Sequence, residues 1–201
     1  RGLNHNSAFL QSVIRSKRFA SGKITTNFIK EEYPDGWKGS ELTQEEAEQL
    51  VAATVAVHQD RLATEATNDQ MLESYEPKFE ENLVATVGEK KYPVHVAYEG
   101  EKMKLTIDGK EVTVENPAFE CERTIMGAKV NGKQVKVQYF EPTTEGYNMQ
   151  YCGGNFEVLL RSARAEELSK CLIPKVMPDT SKFLSSPMAG SLVKVNVKEG
   201  D

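Results

Sequence analysis

Lys194 and Lys198, near the carboxyl end, most invite a chemical role, because a lysine amine can carry a covalently attached prosthetic group. Neither is flanked by methionines, and both take outward positions in an alternating apolar segment, so they read as solvated charges. His58 lies on the apolar side of a helical stretch and is expected to be a core histidine with a local hydrogen bond rather than a catalytic base. The acidic pairs Glu45-Glu46 and Glu80-Glu81 stand beside a helix start and a strand start, where they suit solvent and the helix dipole better than acid–base chemistry. Cys121, Cys152 and Cys171 are odd in number and widely spaced, unlike a disulfide framework or a CxxC metal site, which favours a reducing compartment. His5, His58 and His95 are scattered without metal-ligand spacing. No Ser/His/Asp set, phosphate loop or GxGxxG follows a strand. Neither a catalytic residue nor a metal site is expected in this chain.

The frame that holds these groups is of ordinary globular composition: 201 residues, 39% hydrophobic and 27% charged, enough for one good core or two small ones. A net charge of −5 leaves no nucleic-acid footprint. No apolar run approaches the roughly 18 residues of a membrane span. Arg1 is no initiator methionine, and the last segment is a strand without a following partner, so the material is expected to be cut on both sides.

Three regions differ in period. Residues 4–17 place Phe9, Leu10, Val13 and Ile14 on one helical face, with Asn4 or Asn6 as cap; a short turn over 27–32 ends at Pro34 and Asp35-Gly36. This region is too small for its own core and is expected to pack on something before Arg1. Thr43 and Glu46 then form a capping box. Beyond it Ala47, Leu50, Val51, Thr54, Val55, His58 and Leu62 mark one face, which Ala52, Ala53, Ala56 and Val57 widen until the helix is apolar around much of its circumference. Such a helix, about 30 Å long, belongs inside something.

From residue 79 to 161 the period falls to two. About eight short runs alternate, separated by the hairpin signals Asp108-Gly109, Asn131-Gly132 and Gly153-Gly154 and by the weaker Gly88-Glu89 and Gly100-Glu101. Eight antiparallel strands can close on themselves. The expected fold is α+β, an antiparallel eight-stranded β-barrel wrapped around one long central α-helix, with partial domains at both ends. A short helix over 163–173, with Ala165, Leu168 and Leu172 on one side, leads into a Pro- and Ser-rich linker.

The stretch SPMAGSLVKVNVKEGD (186–201) resembles the opening of a biotinyl or lipoyl carrier domain: Pro187, Met188 and Gly190 match its turn, and Ala189 stands where a second proline is common. The amino-terminal stretch is similar to the end of a biotin carboxylase domain, with Phe19, Gly22, Thr26, Phe28, Ile29, Tyr33 and Pro34 in the expected places. Carboxylase end, helix-barrel insert and carrier start, in that order, resemble the biotin-bearing subunit of the acyl-CoA carboxylases. Tyr33–Gly39 (YPDGWKG) and Pro178–Met188 (PDTSKFLSSPM) look most like the propionyl-CoA branch; the methylcrotonyl-CoA branch is the alternative.

The resemblance implies domains over 1–39 (end of the carboxylase domain), 40–180 (a bridging domain that docks on the carboxyltransferase subunit) and 181–201 (start of the carrier). It implies biotin, ATP and Mg or Mn for the full-length enzyme, a carboxyltransferase partner subunit, a large hetero-oligomer, and a mitochondrial matrix location in a eukaryote or a cytoplasmic one in a bacterium. The biotinyl lysine is expected beyond Asp201. Within the chain, the connection over 67–78 is a dozen residues long where connections usually run to about half that. It carries Met71, Leu72 and Tyr75, apolar groups that the resemblance makes a hook onto the partner subunit. The rival is a stand-alone barrel that binds a small apolar ligand, which needs an open lumen.

Overall fold

The computed structural model describes residues 5–67, 79–100, 102–120, 124–173 and, except for 192 and 195, 190–197. It divides into two units, residues 1–170 and 171–201.

The first unit opens with three short helices, α1 (Ser7–Arg15), α2 (Lys17–Ala20) and α3 (Phe28–Glu32). Asn6 holds the N-cap of α1 but makes no side-chain cap bond, whereas Ser16 accepts from the Phe19 amide at the start of α2. The face of α1 expected to be apolar is not the face that is covered: Ala8 is buried, while Leu10 and Ile14 are exposed. Phe9 packs edge-on against Tyr33 and Trp37, which holds this segment together without a core of its own.

Helix α4 (Gln44–Ala66) starts at the expected capping box: Thr43 Oγ1 accepts from the Glu46 amide at 3.3 Å, and the Glu46 carboxylate accepts from the Thr43 amide at 3.0 Å. Its consecutive residues from Leu50 to Val57 are all buried. Burial all the way round a helix means neighbours on every side, and α4 packs against β1 and β3 to β8. Thr54, on this apolar rod, satisfies its hydroxyl by donating to the Leu50 carbonyl at 2.8 Å.

The neighbours are eight strands: β1 (Asn82–Val87), β2 (Lys90–Glu99), β3 (Lys102–Ile107), β4 (Lys110–Glu120), β5 (Ile125–Val130), β6 (Lys133–Pro142), β7 (Gly146–Tyr151) and β8 (Gly154–Ser162). Each pairs antiparallel with the next, and β1 pairs with β8 to close the barrel. Inward positions such as Ala85, Val94, Leu105, Val112, Ala128, Val137, Met149 and Val158 form one core with the helix. The lumen is filled by α4 rather than left for a ligand.

Two details differ from the sequence reading. The β7–β8 turn is Cys152-Gly153 rather than Gly153-Gly154, with φ of 50° and 80°, and Gly154 already belongs to β8. Gly153 needs that left-handed backbone, and a Cβ there would stand 2.8 Å from the Ser12 amide nitrogen of α1. Strand β4 also runs past Val114 to Glu120, with a register shift between Glu115 and Ala118. Pro117 lies in that irregular stretch, where a missing N–H does not break a regular ladder.

Helix α5 (Ala163–Ser169) is shorter than expected and turns a different side inward. Leu168 and Leu172 are exposed, and the buried residue is Glu166. Its carboxylate takes Lys91 Nζ at 2.5 Å and Arg161 Nη1 at 3.0 Å, and these cations, Lys91 first, hold it below the usual carboxylate range. In the second unit, Gly190, Ser191, Val193, Lys194, Asn196 and Val197 carry no regular secondary structure, although the alternation predicts a strand. Val193 and Val197 are exposed: a strand needs a partner to satisfy its backbone, and among the described residues none pairs with them.

Candidate functional site

The two ends of the barrel differ. At the end where α4 begins, the amino-terminal segment is tied to the β7–β8 turn: Gln11 Oε1 accepts from the Gly153 amide at 3.2 Å, and Ser40 Oγ donates to the Gly153 carbonyl at 3.2 Å. Arg15 pairs with Glu46 beside them. Glu45 pairs with Lys133 and Glu48 with Lys110, so the first turns of α4 are clasped to the strand ends by charge. Glu45 and Glu46 are thus cap and clasp groups.

At the other end, the last turns of α4 emerge at a mouth with apolar walls. Tyr98 and Met103, cross-strand partners, mark the level of the rim. Tyr98 continues the inward series Tyr92, Val94 and Val96, yet is 59% exposed because the helix no longer fills the barrel there. Phe79, also exposed, stands at the foot of β1. Between them and the helix residues Ala56, Gln59, Asp60 and Ala63 lies a cleft of about 430 Å³. A second hollow of about 420 Å³ shares Gln59, Phe79 and Tyr98 and is edged by Glu80 and Glu81.

Gln59 is 4% exposed, and its Oε1 has no hydrogen-bond partner among the described residues. A buried acceptor left unpaired costs about 1–3 kcal/mol. Asp60, Glu80 and Glu81 make no ion pair among the described residues, and burial raises the Asp60 pKa above the usual value for aspartate. None of this was legible in the sequence, where Gln59 and Asp60 read as polar positions on a helix.

Below the mouth, His58 Nδ1 and the Tyr147 hydroxyl are 2.9 Å apart, their rings edge to face. Burial, helped by Arg61, lowers the His58 pKa from its ordinary value. The expected hydrogen bond is present, but His58 is half-buried at the edge of the core, and its partner comes from the distant β7. The folded protein therefore binds fewer protons than the unfolded chain just below the ordinary histidine range, and stability falls as pH drops from about 6.5 through the lowered folded value. Asp60, with a raised pKa, acts in the opposite sense and at lower pH. The thermal midpoint followed between about pH 5 and pH 8 should fall on the acid side for the native protein and stay flatter for His58→Gln. An unchanged slope in that variant would refute the assignment.

Met71, Leu72 and Tyr75 lie outside the described residues, as do Cys121 and Lys198; the described chain stops at Thr67, the C-cap of α4, and resumes at Phe79. Cys152 and Cys171 are free thiols. Among the described residues, no group of three or more His, Cys, Asp or Glu is placed to hold a metal ion, and no helix is long and apolar enough to cross a membrane.

The sequence profile of the propionyl-coenzyme A carboxylase BT domain matches residues 50–175, which take in most of α4, the whole barrel and α5. The chain belongs to that family. Among relatives of the BT-domain chain are the mitochondrial propionyl-CoA carboxylase alpha chains of Homo sapiens, 32% identical over 205 residues, and Rattus norvegicus, 31% identical over 205 residues. Both alignments cover 100% of this chain and 28% of the relative. The propionyl-CoA carboxylase alpha chain of Ruegeria pomeroyi is 28% identical over 200 residues, covering 99% of this chain and 29% of the relative. The BT-domain chain therefore spans little more than a quarter of the length of these relatives. The sequence resemblance implies biotin, ATP and a divalent metal for the full-length enzyme; among the described residues no group of three or more His, Cys, Asp or Glu would hold the metal, and Lys194 lacks the methionine neighbours of a biotinyl lysine.

Proposed function

We propose that this chain is the non-catalytic coupling segment of the biotin-bearing subunit of a propionyl-CoA carboxylase. In this reading residues 1–39 end the biotin carboxylase domain, 40–180 bridge, and 181–201 begin the biotin carrier. Other segments of the full-length enzyme use MgATP and bicarbonate to carboxylate biotin, and a separate carboxyltransferase subunit passes the carboxyl group to propionyl-CoA, giving methylmalonyl-CoA. Relatives named as mitochondrial support a matrix location in a eukaryote; the Ruegeria pomeroyi relative suits a cytoplasmic one in a bacterium.

The observation that carries the reading is the helix-filled barrel. A lumen packed by Leu50, Val51, Val55 and their neighbours has no room for substrate, so the domain's use lies on its outside. In sequence, the segment carrying Met71, Leu72 and Tyr75 lies between Thr67, the C-cap of α4, and Phe79, which borders the open mouth. Full-length subunit with Met71→Asp and Tyr75→Ala, titrated against purified carboxyltransferase subunit, should bind about tenfold more weakly or worse, a loss of about 1.4 kcal/mol or more. The thermal midpoint should not change. Native affinity in that double variant would refute the hook.

A further inference from the structure

The cleft at the open mouth combines three features that are seldom left together without a purpose. Its walls are apolar: Phe79 and Tyr98 expose large rings to solvent, with Met103 behind them. Its floor holds Gln59, shielded from water yet with an amide oxygen that nothing among the described residues satisfies. Its edge carries Asp60, Glu80 and Glu81, three carboxylates that, among the described residues, have neither an ion pair nor a lysine or arginine beside them in the lining of either hollow. His95, which also lines the second hollow, has its Nδ1 engaged with Asn82 Oδ1 at 3.0 Å.

Elsewhere in the first unit several acids are matched by a cation, while the exposed Glu89, Asp108, Glu111 and Glu157 make no ion pair among the described residues. Glu45, Glu46, Glu48, Glu99, Glu115, Glu145 and Glu166 each have a cation within ion-pair distance. A concave apolar surface with an unmet acceptor and unmatched negative charge is complementary to a group with an apolar body, an N–H and a positive end.

We propose that this cleft receives, from the protein partner, a bulky apolar side chain with a lysine or arginine beside it. The apolar side chain packs against Phe79 and Tyr98. A backbone N–H next to it reaches the Gln59 amide after rotation of that side chain, and the cation meets Asp60, Glu80 and Glu81. A protein rather than a small molecule is the occupant because Phe79, which lines the cleft, directly follows in sequence the segment assigned above to docking, and the unpaired acids of the rim suit a cationic partner. The inference rests on the docking reading and sharpens it into a second, charge-selective anchor.

The test uses full-length biotin-bearing subunit and purified carboxyltransferase subunit, with affinity measured at low and high salt. Glu80→Lys with Glu81→Lys reverses the rim, and Ala63→Trp fills the cleft from an exposed helix position; neither touches the core. Both should weaken binding by about tenfold or more, and the charge reversal should also flatten the salt dependence of association. If both bind like the native subunit while the Met71→Asp/Tyr75→Ala variant does not, the cleft proposal is overturned and the docking reading stands. If all three variants bind like the native subunit, or the native subunit does not bind at all, both are overturned.

Discussion

Replacing Leu50 by alanine should lower the unfolding free energy by about 2–5 kcal/mol, and replacing it by aspartate should leave no folded barrel. Leu50 is fully buried in α4 between helix axis and strands. Shortening it removes contacts on a side where the wall cannot collapse, because the wall is a closed ring of hydrogen-bonded strands. A carboxylate at the same place has no cation among the core residues and no route to water, so its desolvation exceeds what a domain of this size can spare. Denaturant unfolding followed by circular dichroism reads both variants. A Leu50→Ala protein as stable as the native chain would mean that α4 does not occupy the lumen.

Gly146→Ala should be the most damaging small substitution on the wall. A Cβ at this position would stand 2.8 Å from Leu159 Cα and closer still to the Val158 carbonyl oxygen. These are backbone atoms of the paired strand, where Gly146 faces Leu159, so no rotamer change relieves the clash. Strand β7 must move away from β8, and in a barrel that displacement is passed to β6 and to the helix. The expected loss lies at or above the upper end of the roughly 1–3 kcal/mol typical of overpacking. Gly127→Ala is the matched control: its Cβ would meet nothing nearer than 3.7 Å. Equal midpoints for the two variants would contradict this account.

Much of this architecture is legible in the residues. The strands announce themselves because each has one face against the helix and the other against water, so Leu83, Ala85 and Val87 or Val94 and Val96 must alternate with polar neighbours. The helix announces itself by Thr43 and Glu46 at its start and by an apolar circumference that only an enclosed helix can tolerate. What escapes is what depends on distant parts of the chain meeting. Glu166 reads as a surface acid on a short helix; it is buried because Lys91 and Arg161 converge on it from β2 and β8. Leu168 and Leu172 lose the inward place to it for the same reason. The mouth cleft joins residues from α4, β2, β3 and β4, and no periodicity within one segment can reveal it. The carboxyl-terminal alternation foretells a strand, but alternation states only a preference, and among the described residues Val193 and Val197 have no paired neighbour to realise it.

The ring closure between β1 and β8 limits how anything can bind here. An open sheet offers its outermost strand as a template, and a visiting chain can pair with it whatever its side chains are. Among the described residues the barrel has no such outermost strand. Recognition by the barrel wall must therefore be written in side chains, and a substitution scan across its surface should be able to find it. The same topology suppresses one route to self-association: copies crowded together, as they would be in a large multi-subunit enzyme, cannot zip their barrels into a shared sheet.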